Sequence, residues 1–184
     1  NKTLGERKYF AWIGNYRSVK NLPAVYDIAK KLPHYQFKVA GTMTMPKSFG
    51  SETRDAVEKL SSCKNVELVG HLKREEVVPF LSEAYALFNT SFVEGFSNTF
   101  LESLAAGTPI VTRKEIDPDG MIENNQLGLI VKDYEEMPQA LERVATMNSY
   151  QQMAERCQKY LSDHHDPYKI TGKLLQELEN HQGE

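Results

Sequence analysis

The sequence predicts a single doubly wound, Rossmann-like α/β domain: about six mostly parallel strands, helices on both faces, and a helical tail over about 149–184. Three observations predict it. Short apolar runs alternate with stretches of helical apolar spacing about ten residues long, the pattern of βαβ units and a parallel sheet. The length of 184 residues suits one domain. Hydrophobic residues make up 40% and there are 11 glycines, so a core forms without staples.

The elements follow in order. Tyr9–Gly14 (YFAWIG) reads as a buried strand. From Pro23 to Leu32, apolar Val25, Ile28, Ala29 and Leu32 have helix spacing. Phe37–Gly41 is the next strand, and a polar loop with Pro46 and Gly50 leads into a helix over about Thr53–Leu60. Strand Val66–Gly70, helix Glu75–Ala84, strand Tyr85–Thr90, helix Asn98–Ala106, strand Pro109–Thr112 and a short strand Gly128–Val131 complete the series. Right-handed crossovers put helices on both faces. No strand signal follows Glu135. Tyr150, Met153, Ala154, Cys157, Tyr160 and Leu161 form one helix face, and Thr171, Leu174, Leu175 and Leu178 another after the break at Asp166–Pro167.

Composition excludes several classes. Twenty-two Lys and Arg against 25 Asp and Glu give a formal net charge of −3, which argues against a whole-surface attraction to nucleic acid. Two cysteines, Cys63 and Cys157, are too few for a disulfide framework or a zinc ribbon, so a reducing compartment is expected. No apolar run approaches the roughly 18 residues of a membrane span. The first residue is Asn1 rather than Met, which suggests a fragment or a processed product.

In an open parallel sheet, ligands sit beyond the carboxyl ends of the strands. Three loops there carry candidates. After Tyr85–Thr90 come Glu94, Gly95, Phe96, Ser97, Asn98 and Thr99, with Glu102 eight residues beyond Glu94. Gly95 permits a tight or positive-φ turn. Ser97, Asn98 and Thr99 are N-cap candidates, and free amides at that helix start form an anion site suited to a phosphate. Two carboxylates beside a phosphate cradle make sense if the ligand also carries hydroxyls; a capped helix with a solvated glutamate is the plainer alternative. The second loop holds Gly14, Arg17 and Lys20, two cations three apart that either neutralise a diphosphate or are solvated surface charges. The third is Gly70-His71-Leu72, where backbone groups become available to a flat base.

These residues carry a resemblance. Glu94–Glu102 with Gly95 resembles the E-x7-E motif of retaining GT-B glycosyltransferases, specifically glycosyltransferase family 4. EGFSNTFLESLAAGTPIV (Glu94–Val111) is similar to the family's EGF–E–A–G–P–V stretch throughout. WIGNYRSVKNLPAVYDIAKKLPHYQFKVAG (Trp12–Gly41) resembles its first βαβ unit, and VELVGHLKREEVVPFLSEAYALFNTS its middle one. DPDGMIENNQLGLIV (Asp117–Val131) resembles the loop and strand that follow. The likeness spans about Tyr9 to Ala145. Many members carry Arg directly after the first-strand glycine; here that place holds Asn15, with Arg17 two places along.

The resemblance implies the C-terminal, donor-binding half of a two-domain enzyme, with the N-terminal acceptor domain of the same polypeptide as its missing partner. Glu102 would hold ribose hydroxyls of a nucleotide sugar, and Glu94 hydroxyls of the transferred sugar. Amides from Gly95 through Thr99 would bind sugar and diphosphate. Arg17 and Lys20 would balance leaving-group charge, and Gly70–Leu72 would offer main chain to the base. The family retains anomeric configuration and needs no bound metal or other cofactor. The acceptor would be a sugar, lipid or small molecule. Nucleic acid is not an expected partner. The expected location is cytoplasmic, or the cytoplasmic face of a membrane for a full-length protein. The alternatives are a GT-B-type sugar-nucleotide epimerase and a non-catalytic nucleotide-binding or docking module. Asp117-Pro118-Asp119 spells D-x-D, a metal motif in GT-A enzymes, but a Pro-Asp-Gly turn explains it more plainly. His164-His165 sits at a helix end, and His71 reads as a pocket-wall residue.

Overall fold

The computed structural model describes residues 2–42 and 50–166, with Lys169 and Thr171 beyond. Its organising element is β1 (Tyr9–Ile13), which is apolar on both faces because helices cover both. Phe10 and Trp12 point into one core layer, with α1 (Leu22–Lys31), α2 (Ser51–Ser61) and α6 (Met137–Thr146). Tyr9 and Ala11 point into the other, with α3 (Arg74–Ser82), α4 (Asn98–Ala105) and the short α5 (Met121–Asn124).

The remaining strands are β2 (Gln36–Ala40), β3 (Val66–Gly70), β4 (Ala84–Phe88), β5 (Ile110–Arg113) and β6 (Gly128–Val131). Their order is β3-β2-β1-β4-β5-β6, and every pairing is parallel. The chain runs outward from β1 to β3, then returns to β4 on the other side of β1. This reversal opens a crevice at the carboxyl ends of β1 and β4, where such sheets place their ligands.

The six strands and the doubly wound arrangement agree with the sequence reading. Two differences matter. β4 ends at Phe88, so Asn89 and Thr90 lie in the loop rather than the strand. The segment after Glu135 contains α6, whose Met137, Leu141 and Val144 are fully buried. Pro138 sits in its first turn, where a missing N–H costs nothing.

The tail helix α7 (Tyr150–His164) packs on this domain and joins its two layers. Tyr150 and Ala154 belong to the first, Cys157, Tyr160 and Leu161 to the second. The Tyr150 hydroxyl donates to the Tyr85 carbonyl at 2.8 Å, and Gln158 Nε2 to the Ala105 carbonyl at 3.1 Å. The predicted stripe Thr171–Leu178, apart from Thr171 itself, and the loop at Pro46 lie outside the described residues. Among the described residues, no helix is long and apolar enough to cross a membrane.

Arg7 fastens α7 to the sheet. It is 2% exposed. Nη1 donates to the Ala84 carbonyl and to Thr108 Oγ1, both at 2.7 Å, and Nη2 to the Gly107 carbonyl at 2.9 Å. Its guanidinium lies 5.0 Å from the centre of the Tyr150 ring. Burial pulls its pKa below the usual arginine value, yet charge-assisted bonds to three acceptors make this a strong tie. Arg7→Ala strips those acceptors at once and is expected to cost about 3 kcal/mol of stability. Urea unfolding followed by circular dichroism measures it, and Arg7→Lys should recover only part of the loss because a lysine has no planar fork.

Candidate functional site

Two loops leave the sheet beside the crevice, residues 14–21 after β1 and 89–97 after β4. A buried hydroxyl joins them. Thr90 is fully buried; its Oγ1 accepts from Trp12 Nε1 at 3.0 Å and donates to the Lys20 carbonyl at 2.8 Å. The Phe92 N–H donates to the Val19 carbonyl at 2.8 Å, a second stitch. Asn89 Oδ1 turns the chain by accepting the Ser91 N–H at 2.7 Å. The first loop closes in a 3-10 turn, Ser18–Lys20, that ends on Asn21 at φ 53°.

This stitching delivers Lys20 to Glu94. Lys20 Nζ lies 2.6 Å from Glu94 Oε2, with the side chains 20% and 15% exposed. Ser91 Oγ donates to the same oxygen at 2.9 Å. Burial pushes the Glu94 carboxyl upward. Hydrogen bonds from Lys20, Ser91 and Asn89, together with the Lys20 charge, outweigh it and hold the group below the usual carboxylate range. Glu102 is the opposite case. Burial raises its pKa, opposed only by the charge of Arg74, and no described residue hydrogen-bonds to its carboxylate.

A cavity of about 410 Å³ opens at the crevice, a volume suited to a small ligand. Its wall brings together Gly14, Lys20, His71, Leu72, Glu94, Phe96, Ser97, Asn98 and Thr99. Gly70, Gly95, Glu102 and Arg17 are not in that wall, and Arg17 is exposed. Asn15 lines it instead. Other hollows lie between α1 and α2 and beside β6, away from the carboxyl ends of β1 and β4.

Ser97 is the N-cap of α4, but its hydroxyl makes no capping bond. The Phe100 N–H donates to the Ser97 carbonyl at 3.0 Å, which leaves the amides of Asn98 and Thr99 as donors at the cavity wall. The positive-φ turn allowed at Gly95 is absent: its φ is not in the left-handed region, and a Cβ there would meet nothing within 4 Å. A glycine that the fold does require beside the site is Gly41, read in the sequence only as the end of a strand. Gly41 has φ +146°, and a Cβ on it would fall 1.8 Å from the Gly14 carbonyl oxygen.

The competing motifs are accounted for locally. Asp117 accepts the Ile122 and Glu123 N–H groups at 2.7 and 3.0 Å, so its carboxylate caps α5. Among the described residues no group of three or more His, Cys, Asp or Glu could hold a metal ion. His165 follows the end of α7 and packs against Tyr160 and Phe96, with ring centres 5.7 and 5.6 Å away. Sequence reasoning missed Thr90, Asn89 and Ser91, because polar residues at a strand end look like ordinary loop.

Residues 1–163 match the family described as Glycosyl transferases group 1. The chain belongs to that family. A curated relative, the lipopolysaccharide core biosynthesis glycosyltransferase LpsE of Rhizobium meliloti, is 30% identical over 69% of this group 1 chain, which spans only 39% of LpsE. Anabaena Alr3699/HepE, solved in complex with UDP-glucose, matches with a TM-score of 0.78 and 14% identity, over 96% of this chain and 50% of HepE. The C-terminal domain of the group 1 protein LpcC from Francisella tularensis matches with a TM-score of 0.71 and 17% identity, over 88% of each chain. These likenesses show the fold, the Rossmann-like one of GT-B glycosyltransferases.

The Lys20–Glu94 pair has a measurable signature. A lowered folded pKa means that the pair stabilises the fold above the unfolded carboxyl value of about 4.5 and loses that contribution as pH falls through the folded value. In Lys20→Met the bond and the charge disappear while the burial of Glu94 remains. The Glu94 carboxyl should then titrate at a higher pH than in the wild type, read by carboxyl-carbon NMR. An unchanged titration would mean that the pair does not persist in solution.

Proposed function

We propose that this chain is the donor-binding half of a retaining glycosyltransferase of family 4, which moves a hexose from a nucleotide-diphosphate sugar to an acceptor. The observation that carries this reading is the contrast between Glu94 and Glu102. Eight residues apart, one carboxylate is ion-paired and the other is half-buried without a hydrogen-bond donor. A half-buried carboxylate with no donor carries part of the cost of burial until a ligand completes it, and vicinal ribose hydroxyls are donors of the right kind. Glu102 then takes the ribose, and Glu94 hydroxyls of the sugar. The free amides of α4 take phosphate oxygens. Lys20 spends one N–H on Glu94 and keeps two for the departing diphosphate, stabilising charge that grows in the transition state. Lys20 lines the wall while Arg17, like Glu102 and Gly70, stands outside it, and the two cations share the charge role as the resemblance has it. Main-chain groups at Gly70–Leu72 face the base. With the phosphate charge met by Lys20 and amides, binding needs no metal. The HepE complex makes UDP and UDP-glucose the first probes.

Calorimetry on the 184-residue chain tests the assignment. Glu102→Ala should weaken UDP and UDP-glucose alike by about 10- to 100-fold, the worth of one charge-assisted bond. Glu94→Ala should weaken mainly UDP-glucose. Equal losses for both ligands in Glu94→Ala would show that this carboxylate does not touch the sugar. Chelation by EDTA should leave both affinities unchanged. Because the chain spans 39% of LpsE, the expectation for transfer is none by this chain alone; robust transfer would sink the half-site reading.

Proton linkage gives an independent check. Burial holds the Glu102 carboxyl above its usual value, and hydroxyl donors favour its ionised form, so ligand binding releases a proton wherever that carboxyl is protonated. UDP affinity should fall as pH drops from neutrality through the carboxylate range. Glu102→Gln should remove that component, leaving those of the phosphate and of the ionisable groups in the wall. Parallel pH profiles for the two proteins would exclude Glu102 from the ribose role.

A further inference from the structure

Glu94 is held from the side of the crevice by Lys20 and Ser91, but Ser91 itself is gripped from the far side. Tyr134, in the loop after β6, donates its hydroxyl toward the Thr90 carbonyl at 3.0 Å and the Ser91 carbonyl at 3.2 Å. Arg113, the last residue of β5, directs Nη2 to the carbonyls of Ser91 and Phe92, each at 3.3 Å. The Arg113 guanidinium stacks 4.7 Å from the centre of the Tyr134 ring, and Phe92 meets that ring edge-on at 6.3 Å. Glu115 anchors the other side of Arg113, 3.4 Å from Nη1. Neither Arg113 nor Tyr134 lines the cavity. Each clasps two, and together they clasp all three, of the backbone carbonyls from which the Glu94 loop starts, and the Ser91 hydroxyl in turn meets Glu94 Oε2 at 2.9 Å.

We infer that Arg113 and Tyr134 are positioning residues that set the Glu94 carboxylate, and through it the sugar end of the donor site. The inference rests on the proposed donor reading for the sugar, but its geometric half does not. With the clasp removed, the loop rotates about Thr90 and Ser91 leaves Glu94. The nucleotide end is built on other elements, α4 and the end of β3, and is unaffected.

Tyr134→Phe is the informative variant because it removes one hydroxyl, changes no charge and keeps the ring under Arg113. Two readouts are taken on the full chain. By carboxyl-carbon NMR, Glu94 should titrate at a higher pH than in the wild type, since it loses the Ser91 bond. By calorimetry, UDP-glucose should bind about fivefold more weakly while UDP is unchanged. In a Glu94→Ala background, Tyr134→Phe should change neither affinity further. Arg113→Lys, which keeps the charge but loses the fork, should act like Tyr134→Phe, whereas a folding defect would lower UDP and UDP-glucose binding together. An unshifted Glu94 titration in Tyr134→Phe would overturn the inference. If the titration moves but the wild type does not distinguish UDP-glucose from UDP, the clasp stands and the donor reading of Glu94 falls.

Discussion

The site depends on the Thr90 hydroxyl. It sits where the strand order reverses, between a loop that leaves β1 and a loop that leaves β4, and it serves both by accepting from the Trp12 indole and donating to the Lys20 carbonyl. Water does not reach it, so each bond has no solvent substitute and neither loop can drift without leaving a buried polar group unmet. The Lys20–Glu94 pair lies downstream of that constraint. Lys20 meets Glu94 because its backbone is fixed there. The crevice keeps its shape because the two loops are stitched rather than merely adjacent.

The surroundings then separate two identical side chains. Glu94 has a cation and a hydroxyl on one oxygen, and its carboxyl is held below the usual carboxylate range. Glu102 is partly sheltered on α4 with only the distant help of Arg74. A domain that needed these residues only for folding would gain by replacing the second with a neutral group of similar size, since unpaired burial of a carboxylate costs stability. Such local conflicts between folding and residue choice gather at functional sites.

Much of this was legible in the sequence. The sheet was, because apolar runs and helical spacing repeat in a fixed order, and β6 falls at Gly128–Val131 as the pattern predicts. Lys20, Glu94 and the α4 start were legible as members of one sheet edge. Arg17 shows the limit: spacing placed two cations in one loop, but the 3-10 turn carries only Lys20 into the wall. Gly95 shows another, since a glycine beside a motif suggests a strained turn that the backbone does not make. Helix α6 went unnamed because Pro138 looks like a breaker when the helix start is not yet located. The contacts that hold the site were not legible at all. Trp12 and Thr90 are 78 residues apart, and Tyr134 and Thr90 are 44 apart. No local pattern marks a threonine as the partner of a distant indole.

These long-range contacts also fix the start of the segment whose apolar side chains stay exposed. Phe92, Val93 and Phe96 are the large hydrophobic side chains left exposed among the described residues, at 52%, 71% and 50%. All three flank Glu94. The main chain that leads into them is held at Ser91 by Asn89 and Tyr134 and at Ser91 and Phe92 by Arg113. The fold spends its polar bonds on the main chain of this segment and leaves its apolar side chains facing outward, around a carboxylate already fixed in place. A carboxylate among apolar neighbours meets a lower local dielectric as soon as anything covers them, and its bonds to hydroxyl donors and to Lys20 then strengthen. The polar anchor below and the apolar rim above thus act on the same group. One fixes where Glu94 stands, and the other would raise what its bonds are worth under any group that covers it.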